Sequence, residues 1–128
     1  GSTYPPLMRA LHEVVGWVSV AVCALVGFWS LWLDRRQTAL GRAFWVTVGT
    51  AMTVVGLQVG IGVYLVANGY GGAGDQHIFY GFLVAFVLAF AYIYRDQLGA
   101  RPAFRYGLLL LFLMGLGLRG IATFGVGF

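Results

Sequence analysis

Four long apolar stretches set the strongest limit on how this chain can fold. They cover approximately residues 8–33, 40–67, 76–94 and 104–124. Each is long enough to cross a bilayer, which takes about 20 apolar residues in a helix. Because a lone span in lipid must satisfy its backbone hydrogen bonds internally, the spans are expected to be helices. The sequence therefore predicts an all-α, integral membrane four-helix transmembrane bundle that occupies residues 1–128 as a single domain.

The composition agrees with a membrane protein and leaves little for a separate soluble part. Of the 128 residues, 60% are hydrophobic and only 9% are charged, whereas soluble domains carry about a quarter charged residues. Membrane lipid is therefore an expected partner. The first stretch is not expected to be a cleavable signal, because it is long and three similar stretches follow it.

The basic residues predict how the helices are oriented. Six arginines lie in or beside the first and third loops, namely Arg35, Arg36, Arg42, Arg95, Arg101 and Arg105. The second loop has none, so the positive-inside rule places the first and third loops in the cytoplasm and both termini on the outer side. This clustering explains the net charge of +4 without nucleic acid as a partner. We expect a multi-pass protein of a bacterial plasma membrane.

The two histidines of the chain each open a predicted helix. His12 is followed by Gly16 and His77 by Gly81, so that both segments read His-x-x-x-Gly. The predicted topology starts both helices from the outer side, and the two side chains are therefore expected at similar depth. A histidine within a membrane span is costly and is usually functional. The pair is thus predicted to share one ligand. The alternative is a structural role at the membrane interface, with hydrogen bonds to Glu13, Asp75 or water.

A haem b iron is the ligand that this pair favours. Histidine supplies a neutral nitrogen ligand, and four-helix bundles build cofactor sites from side chains on facing helices. Gly16 and Gly81, one turn deeper than the histidines, are expected to leave room for the edge of a porphyrin ring. His12 and His77 are thus predicted to be the axial ligands of the haem iron. Because they would fill both axial positions, electron transfer fits better than oxygen chemistry.

Two polar residues within the spans complete the predicted site. Arg119 lies near the outer end of the fourth helix, where its guanidinium suits a haem propionate. The alternative for Arg119 is that it simply reaches the lipid headgroups. Gln58 lies in the outer half of the second helix and is expected to bond a propionate, a histidine or a quinone.

The function predicted from these residues is that of a small membrane b-type cytochrome. Its bis-histidine haem would lie near the outer face and carry electrons between quinol and an outer acceptor, alone or as a subunit of a larger redox complex. A non-catalytic accessory subunit of a larger membrane complex is an alternative. Such a subunit would bind through glycine faces such as Gly56-x-x-x-Gly60, a pattern typical of close helix packing.

A metal-ion site is the second alternative. His12, His77 and a carboxylate from Glu13 or Asp75 could form the ligand set of a catalytic zinc. The protein would then be a metal-site membrane enzyme or a small-ligand carrier. Glu13 points about 100° round the helix from His12, which disfavours this site. Asp75 is expected to lie in the turn or to cap the third helix.

A short internal repeat indicates two related hairpins. Residues 36–44 resemble residues 95–104, and each segment follows a His-x-x-x-Gly helix and precedes a glycine-rich one. Parallel repeats of this kind are related by an axis along the membrane normal. A ligand held by His12 and His77 would lie near that axis.

Overall fold

A computed structural model describes residues 6–69 and 71–127 of the chain. These residues form five helices, which are α1 (Pro6–Arg35), α2 (Arg42–Ala67), α3 (Asp75–Ile93), α4 (Arg95–Leu98) and α5 (Pro102–Ala122). All except α4 are long and apolar enough to cross a membrane. The prediction of an all-α chain with four such helices is confirmed, and their ends lie within two residues of the expected ones.

The connection between α3 and α5 contains a helix that the sequence did not indicate. The single-turn α4 occupies part of the segment expected to be a loop, and it follows α3 after Tyr94. Pro102 then begins α5. A proline is tolerated at the first helical position because its missing N–H would have no partner within the helix.

The four long helices form a ring in the order α1, α2, α3, α5. Helix α1 packs against α2 and α5, and α3 packs against the same two helices, so α1 and α3 are diagonally opposed. The start of α1, the end of α2, the start of α3 and the end of α5 share one end of the bundle. We call this the histidine end, because His12 and His77 lie there. The opposite end, which carries the loop arginines, is called the arginine end.

The tightest contact between helices lies between α1 and α5. A Cβ atom added to Gly107 would stand 3.1 Å from the carbonyl oxygen of Gly27 and 2.9 Å from the side chain of Leu31. Ser30 is fully buried beside this crossing, and its hydroxyl donates to the carbonyl of Ala103 at 2.6 Å. Small residues allow helix backbones to approach closely in lipid, where packing replaces the hydrophobic effect as the attraction.

The packed core fills the middle and the arginine half of the bundle. Its most completely buried members include Cys23 of α1, Phe44 and Ala51 of α2, and Leu110 of α5. These side chains from three helices meet in one cluster. The histidine half is packed less completely, and this difference leaves space for the cavity described below.

Large apolar side chains cover the outside of the bundle. Leu25, Phe28, Phe82, Phe86 and Ile93 are each more than half exposed. Extensive exposed apolar surface of this kind is rare on water-soluble monomers and marks contact with lipid or another protein. Together with the four long apolar helices, it is consistent with a multi-pass membrane protein.

The glycine motif of α2 does not pack against another helix of the described chain. A Cβ atom at Gly56 or Gly60 would meet no atom within 4 Å. The close packing expected there occurs instead between α1 and α5. The two glycines line a shallow groove on the outside of α2, together with Thr53 and Tyr64.

Candidate functional site

A cavity of about 440 Å³ occupies the histidine half of the bundle. All four long helices contribute to its walls, which are almost entirely apolar. Its volume falls within the range of about 300–1,000 Å³ that is typical of pockets for small organic ligands. The cavity is therefore the candidate functional site of the described chain.

The cavity opens sideways between α2 and α3. Val63 and Val66 of α2 line it, as do Ile78 and Phe82 of α3, and all four side chains are about half exposed or more. Of the neighbouring helix pairs in the ring, α2 and α3 make the least extensive contact. The opening faces the surface that lipid would cover in a membrane.

His12 of α1 and His77 of α3 meet inside this cavity. Their ring centroids are 5.8 Å apart and the ring planes are inclined by 80°. Because α1 and α3 are diagonally opposed, the two imidazoles reach each other across the interior of the bundle. The structure thus brings together the two histidines that the sequence had singled out.

His77 is held in a defined orientation by α5. Its Nδ1 lies 2.7 Å from the carbonyl oxygen of Gly120. Since a carbonyl only accepts, Nδ1 carries the proton and donates it, which leaves the lone pair of Nε2 available. Phe124 packs edge-on against the ring at a centroid distance of 5.0 Å. Metal-ligating histidines usually donate their other ring N–H in this way, which fixes both tautomer and orientation.

His12 lies against α2 and lacks a comparable bond. Its Nδ1 is buried without a hydrogen-bond partner among the described residues. Its Cε1 lies 3.6 Å from the point where a Cβ atom on Gly62 would stand. Gln58, one turn earlier on α2, also has a buried side-chain oxygen without a partner in this part of the chain.

Glycines from all four long helices surround the two imidazoles. Those lining the cavity are Gly16, Gly62, Gly81, Gly117 and Gly120. The space expected beside Gly81 is present, because a Cβ atom there would meet nothing within 4 Å. The space beside Gly16 is taken by the amide of Gln58, whose Nε2 would stand 3.1 Å from such an atom.

Arg119 lies at the rim of the cavity at the histidine end. Its guanidinium is exposed, and its Nε donates to the hydroxyl of Tyr80 at 3.3 Å. Tyr80 itself lines the cavity. The arginine also directly precedes Gly120, which holds His77. Its positive charge is therefore close to the cavity but separated from it by the tyrosine.

The ligand set of two imidazoles and a carboxylate is not assembled. Within residues 6–69 and 71–127, no group of three or more His, Cys, Asp or Glu side chains is placed to hold a metal ion. Asp75 is the first residue of α3, where a carboxylate interacts favourably with the helix dipole. The geometry therefore offers a metal only the two histidines.

Three contacts of this site were not indicated by the sequence. They are the carbonyl of Gly120 on one histidine, the backbone at Gly62 beside the other, and the ring of Phe124. Each comes from an element distant in sequence from the histidine that it touches. The closest signal was the glycine-rich run from Gly115 to Gly120, which ordinary helix packing explained equally well.

Comparison of the chain with known protein families, with curated proteins and with solved structures finds no match. The chemistry of the cavity consists of two neighbouring imidazoles, apolar walls, a glycine lining and a nearby arginine.

Proposed function

We propose that this protein is a small membrane b-type cytochrome that binds one haem b between His12 and His77. The observation that carries this proposal is the 5.8 Å separation of the two ring centroids. Metal–nitrogen bonds are about 2 Å long, and the ligating nitrogen lies about 1 Å from the ring centre, so two imidazoles on opposite sides of one metal are about 6 Å apart. The spacing of the pair matches that value.

The tautomer of His77 supports the same proposal. Its Nδ1–H is donated to Gly120, which leaves Nε2 as the ligating atom. A hydrogen bond from the ring nitrogen that does not ligate fixes the orientation of the ring. It also makes the ligating nitrogen more basic.

The lining of the cavity suits a flat, apolar ring. A ring between the two imidazoles would be flanked by α2 and α5, the other diagonal pair of the bundle. These helices present Gly62, Gly117 and Gly120 to the cavity, and glycine permits close approach to the backbone. Arg119 at the rim is available to bind a propionate, since its guanidinium matches the geometry of a carboxylate.

Haem iron bound in this way would accept and release a single electron, and two histidine ligands leave it no open position for oxygen. The apolar walls would keep water from the site. The sideways opening between α2 and α3 faces lipid, so a membrane quinol is the donor that fits best. An acceptor on the outer side, or a larger redox complex of which this chain is a subunit, would complete the path.

The orientation in the membrane follows from the arginines. Those of the first and third loops share one end of the bundle, where Arg101 pairs with Asp34. The positive-inside rule would make that end cytoplasmic in a bacterial plasma membrane, and would put both termini and the haem on the outer side. The hairpins α1–α2 and α3–α5 would then be related by a pseudo-two-fold axis through the cavity.

Visible spectroscopy tests this function. The protein purified in detergent, oxidised and then reduced with dithionite, is expected to show the sharp reduced bands of a six-coordinate b haem. His12→Ala and His77→Ala should each abolish them, whereas Glu13→Gln, at an exposed position of α1, should not. Circular dichroism would establish that each variant keeps its helices. A colourless protein that takes up no haem on reconstitution would refute the proposal.

A non-catalytic accessory subunit is the second candidate function. The observation that favours it is the uncovered groove at Gly56 and Gly60 on the outside of α2. In lipid such a glycine face allows another helix to pack closely. A colourless protein that copurifies with other membrane chains, and loses them in Gly60→Leu, would favour this candidate over the cytochrome.

A further inference from the structure

Two buried atoms of the cavity are hydrogen-bonding groups without partners among the described residues. One is Nδ1 of His12 and the other is Oε1 of Gln58. Buried polar groups are almost always paired in folded proteins, so each exception calls for an explanation. Here the two exceptions are complementary, because Nδ1 of a neutral imidazole can donate and an amide oxygen can accept.

The two residues are neighbours across the seam between α1 and α2. His12 faces Gly62, with its Cε1 3.6 Å from the position of a Cβ atom there. One turn along the same seam, Nε2 of Gln58 lies 3.1 Å from the point where a Cβ atom on Gly16 would stand. Gln58 is therefore about one helical turn, or about 5 Å, from His12 along the bundle.

The His12 ring faces the helix that carries Gln58. Its Cε1, which lies between the two ring nitrogens, is directed at α2, the helix that carries Gln58. The glutamine side chain has rotatable bonds that allow its amide to turn, and the cavity provides room for that movement. Ser19, the next polar side chain on α1, already donates to the carbonyl of Val15.

We infer that Gln58 is the positioning residue of His12, and that its side-chain oxygen accepts the Nδ1–H of the imidazole. This bond leaves Nε2 of His12 without a proton and available as a ligand, as Nε2 of His77 is. It matches the bond from His77 to the carbonyl of Gly120, so each imidazole would be fixed by an acceptor from a neighbouring helix. A larger residue at Gly16 would shift the amide, because a Cβ atom there would stand 3.1 Å from Nε2 of Gln58. The assignment of a role at the iron rests on the proposed cytochrome function.

The haem-loaded protein gives one test, because an acceptor on Nδ1–H makes the ligating nitrogen more basic. Gln58→Leu removes the acceptor and is expected to raise the midpoint potential and to lower haem affinity about 10- to 100-fold. Gln58→Glu supplies a stronger acceptor and is expected to lower the potential and to retain haem. A purely structural role would lower haem affinity in both variants. Thr50→Ala, at an exposed position of α2 where the hydroxyl donates only to the carbonyl of Val46, should leave the potential unchanged.

The haem-free protein gives a second test that does not depend on the cytochrome function. The ¹⁵N chemical shifts of His12 report which ring nitrogen carries the proton. The wild type is expected to hold the proton on Nδ1, and Gln58→Leu is expected to redistribute it between the two nitrogens. If that change occurs in a protein that binds no haem, the positioning role stands and the cytochrome proposal fails. If haem binds but neither the potential nor the tautomer responds to Gln58→Leu, the positioning role of Gln58 is overturned while the cytochrome proposal stands.

Discussion

Replacing Gly74 by alanine should loosen the histidine end of the bundle. Gly74 precedes α3 with φ 83° and ψ 156°, a backbone region that is almost restricted to glycine. A Cβ atom there would stand 2.6 Å from the backbone nitrogen of Val126 and 2.7 Å from the carbonyl carbon of Gly125. These contacts are with backbone, so no side-chain rotation can relieve them.

The loss of unfolding free energy depends on which interactions the chain must break to relieve this clash. The terminal segment bonds the loop through Gly125 N–H to the carbonyl of Ala73, and through the carbonyl of Val126 to Gln76 N–H. Releasing the segment loses both of these backbone bonds, at about 0.5–1.5 kcal/mol each, and an exposed bond from Nε2 of Gln76 to the carbonyl of Gly127 that is left out of the sum. The strained backbone adds about 1–3 kcal/mol. We therefore expect Gly74→Ala to lose about 2–6 kcal/mol of unfolding free energy.

Two other glycines of the same loop provide matched controls. Gly72 also has a positive φ, of 94°, but a Cβ atom there would meet nothing within 4 Å. Gly71 has neither the positive φ nor a neighbour within 4 Å. Gly71→Ala should thus be close to neutral, and Gly72→Ala should show only the backbone strain of about 1–3 kcal/mol.

Denaturation in detergent micelles, followed by circular dichroism, would rank the three variants. Hydrogen exchange at the amide of Gln76 should accelerate in Gly74→Ala, because its acceptor on Val126 is withdrawn. Haem affinity should fall as well, since Phe124 would leave the ring of His77. The reasoning is refuted if Gly74→Ala is as stable as Gly71→Ala and exchanges at the same rate.

Three further predictions concern other parts of the bundle. Gly81→Leu should keep the fold but lose haem, because its side chain would extend into open space beside the histidines; normal haem content per chain would contradict this. Ser30→Ala removes the bond to Ala103 and should lower stability by about 0.6 kcal/mol, and by less than about 1.7; an unchanged denaturation midpoint would show that the bond contributes nothing. Asp34→Asn breaks an ion pair with the exposed Arg101 and should cost less than about 1 kcal/mol, so a larger loss in the same assay would indicate a role beyond the pair.

Much of the fold was predictable because membrane helices are specified locally. An apolar run of sufficient length, bounded by glycine or arginine, predicts a span without reference to other segments. The single turn α4 escaped prediction because four residues between two spans carry too little pattern to distinguish a turn of helix from a loop. The packing at Gly27 and Gly107 was not predicted either. The sequence pointed instead to the Gly56-x-x-x-Gly60 motif, which has no neighbour in the described chain.

The candidate site was predictable in its chemical groups but not in its contacts. His12 and His77 stood out because they are the two histidines of the chain and both begin a span on the predicted outer side. The position of Arg119 near them followed from the same topology. Nothing local indicated that Gly120 would hold one imidazole or that Gln58 would lie one turn from the other.

The sequence by itself determined the number of spans, their approximate ends and which residues could ligate iron, because hydropathy and side-chain chemistry are properties of single segments. Only the tertiary structure decided the order of the helices in the ring. That order makes α1 and α3 a diagonal pair, so that their histidines meet across an apolar cavity rather than on an outer face. It also brings the carbonyl of Gly120 to His77, since an acceptor from another helix can be positioned only when the helices pack.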